Sequence, residues 1–182
     1  MRLFTAIDIS EDVLGNLERL IARLRPTARI QWSPARNLHI TTKFIGEWPG
    51  ERLDQVKTAL AALPPRAPIH VSISRLGYFP NPHSPRVFWA GIAAPGLAEL
   101  ARDTEQALAA IGVPREQRPF SPHLTLARIK ATVPMSGLLT AVAALPSLDF
   151  GEFTAGRFCL YQSRLAPGGS VYTRIAEFGF SQ

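Results

Sequence analysis

The chain has 182 residues, 46% of them apolar and 19% charged. That length favours one domain or two small lobes, and that balance excludes a disordered chain. The single cysteine, Cys159, excludes an internal disulfide framework and any multi-cysteine zinc site, and the formal net charge of +6 is carried by 17 Arg against only Lys43, Lys57 and Lys130. A planar guanidinium fork matches phosphate oxygens, so the arginine excess suits an anionic partner.

In chain order, RLFTAIDI at the N-terminus reads as a short β-branched and aromatic strand. Its Asp8, with no long apolar run beside it, does not fit a signal peptide. Ser10 with Glu11 and Asp12 predicts a helix start, and Val13, Leu14, Leu17, Leu20, Ile21 and Leu24 share one helical face until Pro26 stops it. NLHITTKFIG (37–46) predicts a second strand. A helix from about Gly50, with Leu53, Val56, Leu60 and Leu63 on one face, ends at Pro64-Pro65, and IHVSISRLGYF (69–79) predicts a third strand. RVFWAGI (86–92) then reads as a strand, Leu97 to Ile111 as a helix closed by Gly112, SPHLTLARI (121–129) as a strand and Ser136 to Leu145 as a short helix. RFCLYQSRL (157–165) and VYTRIAEFGF (171–180) flank APGGS as a hairpin. The longest uncharged stretch, Ala131 to Leu148, is broken by two prolines and does not span a membrane, so a soluble cytoplasmic protein is expected.

The order of elements recurs with its spacing. Phe4 to His39 is 35 residues and Phe88 to His123 is 35. An offset of 84 sets LFTA (3–6) on VFWA (87–90) and NLHITTKFI (37–45) on SPHLTLARI (121–129). Matching order, spacing and a shared His-apolar-Thr predict an internal duplication. Two such halves related by a pseudo-two-fold axis bring equivalent positions into one cleft.

Two of the four histidines occupy the repeated motif, as His39-Ile40-Thr41 and His123-Leu124-Thr125. Residues i and i+2 of a strand share a face, so each histidine projects with its threonine. The threonine hydroxyls can donate to an anion while the imidazoles exchange protons near neutral pH. Phosphodiester cleavage, with one imidazole as base and one imidazolium as acid, fits this set. Phe44 and Arg128 stand five residues after the two histidines, an odd offset that reaches the opposite face of a flat strand; only a bulge or twist returns them to the site, as a stacking ring and a phosphate clamp. His70 and His83 are expected outside the site. Cys159, Tyr161 and Tyr172 are expected to pack, and Arg86 and Arg164 are candidate borders of the cleft. With no acidic or cysteine partner at ligand spacing beside the motif histidines, and no Walker motif or dinucleotide fingerprint, neither a metal nor a cofactor is expected.

HITT (39–42) and HLTL (123–126) resemble the duplicated signature of the 2H phosphoesterase superfamily. RLFTAIDIS, NLHITTKFIGEW, RPFSPHLTLAR (118–128) and LYQSRLAPGGSVY (160–172) are similar, in that order, to its RNA 2′,3′-cyclic phosphodiesterases, also called 2′-5′ RNA ligases. The resemblance covers essentially the whole chain. It implies a bilobal, duplicated α+β fold over residues 1–182, with antiparallel sheets around a central cleft and helices outside. It also implies metal-independent opening of 2′,3′-cyclic phosphates at RNA ends, leaving a 2′-phosphate. Separately, a monomer is expected. By motif position His39 and His123 become the catalytic pair, Thr41, Thr125 and Arg128 phosphate contacts, and Phe44 a ring that stacks on the nucleobase. His39 is assigned the acid role and His123 the base, although the duplication itself gives no ground for choosing between them. Thr42 stands where the family usually has an aliphatic residue. Ligation through a 2′-5′ bond, the same chemistry reversed, and a non-catalytic module that binds RNA ends are the competing readings.

Overall fold

Nine strands and four α-helices arise in the computed structural model, which describes residues 1–181. β1 (Arg2–Asp8) is buried along five consecutive residues because it lies inside a sheet and is covered on both faces. α1 (Glu11–Leu24) is capped by the Ser10 hydroxyl, which accepts from the Val13 amide at 3.4 Å; Glu11 and Asp12 sit at its positive end. Its buried stripe is Val13, Leu17, Leu20, Ile21 and Leu24, and Pro26 falls in the 3-10 turn that closes it. β2 (Gln31–Trp32) and β3 (His39–Glu47) follow, then α2 (Leu53–Ala61) behind a 3-10 turn at Gly50–Arg52. The chain continues through β4 (Ile69–Phe79), β5 (Val87–Ala93), α3 (Leu97–Ala109), β6 (His123–Arg128) and α4 (Ser136–Ala143). β7 (Asp149–Ala155), β8 (Arg157–Ala166) and β9 (Gly169–Gly179) complete it. The glycine turn predicted between the last two strands is present: Ala166 pairs with Gly169 around Pro167-Gly168.

The strands form two antiparallel sheets, ordered β3-β1-β8-β9 and β2-β6-β5-β4-β7. The 84-residue offset carries β1 to β5, α1 to α3, β3 to β6, α2 to α4 and β4 to β8. The fold is therefore a duplicated α+β architecture, and its copies exchange a strand. β8, from the second copy, pairs with β1, and β4, from the first, pairs with β5. The helices cross over too. Asn16 of α1 donates to the Phe150 carbonyl on β7 at 2.9 Å, and α3 packs on β3. Neither copy closes its own sheet, so the apolar core runs continuously through both.

Two of the strands carry no clear signal in the sequence. β7 buries only Phe150 and Ala155 at a sheet edge and carries Gly151 at φ 110°, so it shows neither strong alternation nor β-branched enrichment. β2 is two residues long, held by pairing with Ala127 and Arg128. Both exist through long-range ladders.

Candidate active site

His39 opens β3 and His123 opens β6, and the two strands repeat one burial pattern. The histidine is partly buried, the next residue buried, the threonine partly buried, then two residues in succession are buried and the sixth is exposed. Two buried neighbours break the period of a strand, and the ladders show why. On β3 the register passes from Thr41 opposite Ala6 to Lys43 opposite Thr5, leaving Thr42 extra. On β6 it passes from Thr125 opposite Trp89 to Ala127 opposite Phe88, leaving Leu126 extra. Each is a β-bulge, which reverses the parity of the side chains that follow it, on β3 as far as a second shift at Ile45.

The bulges return Phe44 and Arg128 to the face of the histidines, where a flat strand would have turned them away. Phe44, 68% exposed, has its ring centroid 6.4 Å from that of Phe4, which in turn lies 6.1 Å from that of His39. The first bulge is fastened from inside the protein. Thr42 Oγ1 and Thr5 Oγ1 share a buried hydrogen bond of 2.7 Å. Lys43 turns inward, where its Nζ donates to Glu105 Oε1 and to the Pro114 carbonyl, each at 2.9 Å. The unusual Thr42 is thus a buried, satisfied residue facing away from the site.

The two imidazoles are fixed by the same local bond. His39 Nδ1 lies 3.0 Å from the Asn37 carbonyl, and His123 Nδ1 lies 2.9 Å from the Ser121 carbonyl. A carbonyl only accepts, so each Nδ1 carries the hydrogen. When the ring is neutral its lone pair is on Nε2; when protonated, Nε2 is the donor. Both rings therefore present Nε2 for proton transfer, and Cα atoms of β3 and β6 come within 8 Å of one another.

Beyond that shared bond the surroundings differ. His39 is ringed by Tyr161 at 4.8 Å and Tyr172 at 5.5 Å between centroids. Burial pulls its pKa below the ordinary 6.5, opposed by the Asn37 bond and by Asp8, with Arg174 adding to the lowering. Asp8, the partner of His39 in the β1–β3 ladder, has Oδ1 3.8 Å from His39 Nε2. The Tyr161 hydroxyl and Arg174 both donate to Asp8. Burial, then the bond to Asp8, pushes the Tyr161 pKa up to about 12, so the phenol stays a donor. His123 instead packs edge-on against Phe79 at 5.2 Å.

A cavity of about 330 Å³ opens beside His39, walled by Arg36, Asn37, Tyr161, Tyr172 and Arg174. His123, Thr41, Thr125, Phe44 and Arg128 are not among its lining residues, nor are the candidate borders Arg86 and Arg164. Tyr161 packs as expected, stacked on Phe4 at 5.4 Å, but its hydroxyl is also part of the site. Sequence reasoning missed Asp8, Arg36 and Arg174. Only the antiparallel registration of the first strand on the motif strand sets residue 8 opposite residue 39. His70 is exposed on β4 with Nε2 3.4 Å from Glu152, and His83 lies in an exposed turn, both outside the site. Cys159 is buried, and that burial pushes its pKa up to about 11, so it remains a thiol. Among the described residues, no helix is long and apolar enough to cross a membrane.

Two strand-exchanged copies of one α+β unit, each opening a bulged strand with His-apolar-Thr, place the chain among duplicated two-histidine proteins. The family model described as LigT like Phosphoesterase matches residues 7–89 and 92–172, and the chain belongs to that family. It is 33% identical to the RNA 2′,3′-cyclic phosphodiesterase of Methanocaldococcus jannaschii, over 98% of this chain and all of that one. Among solved structures, TT0787 of Thermus thermophilus superposes with a TM-score of 0.83 at 33% identity, covering 99% of this chain and 98% of that one. Escherichia coli LigT complexed with 3′-AMP superposes at 0.79 and 28% identity, covering 100% and 98%.

Proposed function

We propose that the chain hydrolyses 2′,3′-cyclic phosphates at RNA ends to 2′-phosphomonoesters, using His39 and His123 as an acid–base pair. The observation that carries this reading is the repeated imidazole geometry. Both Nδ1 atoms are tied to a carbonyl two residues back, both Nε2 atoms are left for proton transfer, and both sit on strands that approach each other. A binding module has no need of two matched proton-transfer groups.

One Nε2 takes a proton from water as its oxygen attacks phosphorus; the other protonates the departing ribose oxygen. Each transfer contributes roughly 100- to 10,000-fold. Thr41 and Thr125 share the histidine faces and supply hydroxyl donors to the non-bridging oxygens, and Arg128 adds a charge-assisted contact where negative charge grows. Exposed Phe44 offers a ring to the terminal base. The arginine excess draws in the polyanion. The relatives named RNA 2′,3′-cyclic phosphodiesterase support the substrate class. In the same reading residues 1–182 form one bilobal unit, acting as a cytoplasmic monomer without metal or cofactor. The test is incubation with a short RNA ending in a 2′,3′-cyclic phosphate, with products resolved by phosphorus NMR. A 2′-phosphate is expected. A 3′-phosphate reverses the assigned geometry, and an unchanged cyclic phosphate refutes the function.

A further inference from the structure

Duplication makes the two motif strands alike, so whatever separates the roles of His39 and His123 comes from outside the motifs. Opposite His39 in its ladder stands Asp8; opposite His123 stands Gly91. The residue 84 positions after Asp8 is Ile92. The second copy therefore has no carboxylate where the first has one.

That carboxylate is held in place. Tyr161 donates to Oδ1 and Arg174 Nη2 donates to Oδ2, while Arg174 Nη1 reaches Glu177 at 2.9 Å. Oδ1 lies 3.8 Å from His39 Nε2, the atom that the Nδ1 bond leaves for chemistry. The His39 side chain is only 10% exposed, an environment that disfavours the imidazolium and that a nearby anion offsets in part. The charged groups around the ring are Asp8 from β1, Arg174 from β9 and Arg36 from the turn before β3, with the phenols of Tyr161 and Tyr172 beside them. Asp8 favours the protonated ring, and Arg174 opposes it.

We propose that Asp8, held by Tyr161 and Arg174, is a positioning residue that favours a proton on Nε2 of buried His39 and so offsets part of what burial takes from that imidazole, a support His123 lacks. The inference rests on the cyclic phosphodiesterase reading. In the step, His123 Nε2 removes a proton from water, the water oxygen bonds to phosphorus, and the bond from phosphorus to the ribose 3′-oxygen breaks. That oxygen takes the proton from His39 Nε2. The imidazoles end with their protonation exchanged, and solvent resets them.

Two measurements on the full chain test it: histidine titration by NMR without substrate, and the pH–rate profile on cyclic-phosphate RNA. Asp8→Asn removes the anion and leaves the Arg174 charge, so His39 should titrate lower by about one pH unit, the size expected for a partly exposed charge about 4 Å away. Arg174→Gln should move it upward. His123 should not follow. Opposed shifts cannot come from general loosening of the cleft, and should Asp8→Asn fail to fold, Arg174→Gln still reports the sign. In the rate profile one limb should move to lower pH with His39 in Asp8→Asn while the other stays. At a fixed pH on that limb the rate should then change by about tenfold, one pH unit being a factor of ten. Shifts in the same direction for both charge variants, or no shift, overturn the proposal. A profile in which neither limb moves overturns it equally. A wild-type protein that titrates as described yet leaves the cyclic phosphate intact refutes the proposed reaction, while the hold of Asp8 on the His39 proton stands.

Discussion

Replacing Lys43 by Met tests whether the bulge that presents Phe44 is fastened by a buried ion pair. The Lys43 side chain is 4% exposed, with Nζ 2.8 Å from Glu105 Oε2 and 2.9 Å from the Pro114 carbonyl. Breaking a fully buried pair from one side costs about 3–5 kcal/mol. Glu105 is 21% exposed and also accepts from the Glu116 amide at 2.7 Å, so solvent and that amide relieve part of the loss. About 2–3 kcal/mol remains by that discount. At about 2–4 °C per kcal/mol for a chain of this size, Tm should fall by about 4–12 °C. The assay is thermal unfolding followed by circular dichroism, with KM for a cyclic-phosphate RNA measured well below the transition. A loosened bulge frees Phe44 and should raise KM more than it lowers kcat. Adding Glu105→Leu should recover much of the stability, because an apolar pair of similar volume leaves no charge stranded. Lys43→Met with an unchanged Tm would refute the argument, since nothing would then hold Lys43 inward.

His39→Ala and His123→Ala should each abolish turnover of the cyclic phosphate while leaving binding of an RNA 2′-phosphate, followed by fluorescence anisotropy, within a few-fold; full activity in either removes the acid–base pair. Phe44→Ala should raise KM by about 5- to 150-fold, the equivalent of about 1–3 kcal/mol of lost base stacking, with kcat little changed. An unaltered KM places the ring outside the substrate. Turnover should persist in excess EDTA. Loss of activity restored by a divalent metal would replace proton transfer with metal chemistry.

Local signals carried most of the elements and both motifs. The α1 stripe and cap follow from Ser10 and the leucine spacing, and the glycine turn before β9 follows from APGGS, because their causes lie within a few residues. The histidine–threonine faces follow from strand alternation alone. The bulges did not follow, because nothing in HITTKF or HLTLAR marks an extra residue. Thr42 is extra because Thr5 meets its hydroxyl and α3 receives Lys43, and both partners are distant in sequence. The strand exchange was hidden for the same reason. The offset of 84 shows that β4 and β8 correspond but not which sheet each joins. Asp8 was hidden most completely, since its meaning depends on a ladder partner 31 residues away.

The exchanged strands also explain how a symmetric duplication becomes an asymmetric site. β1, β3 and β8 match β5, β6 and β4, but the fourth strands do not match. β9 follows β8 through its hairpin, whereas β7 precedes β8 in the chain and pairs with β4. β9 delivers Tyr172 and Arg174 to the cavity at His39. β7 packs against α1 and sends Glu152 toward exposed His70 rather than toward His123. Asp8 on β1 and Arg174 on β9 meet only because β8 of the second copy lies between those two strands. The charge pair at His39 is therefore a product of the exchange. A chain whose copies each closed their own sheet would place β8 and β9 away from β1, and His39 would lose both the carboxylate's anchors and the walls of its cavity.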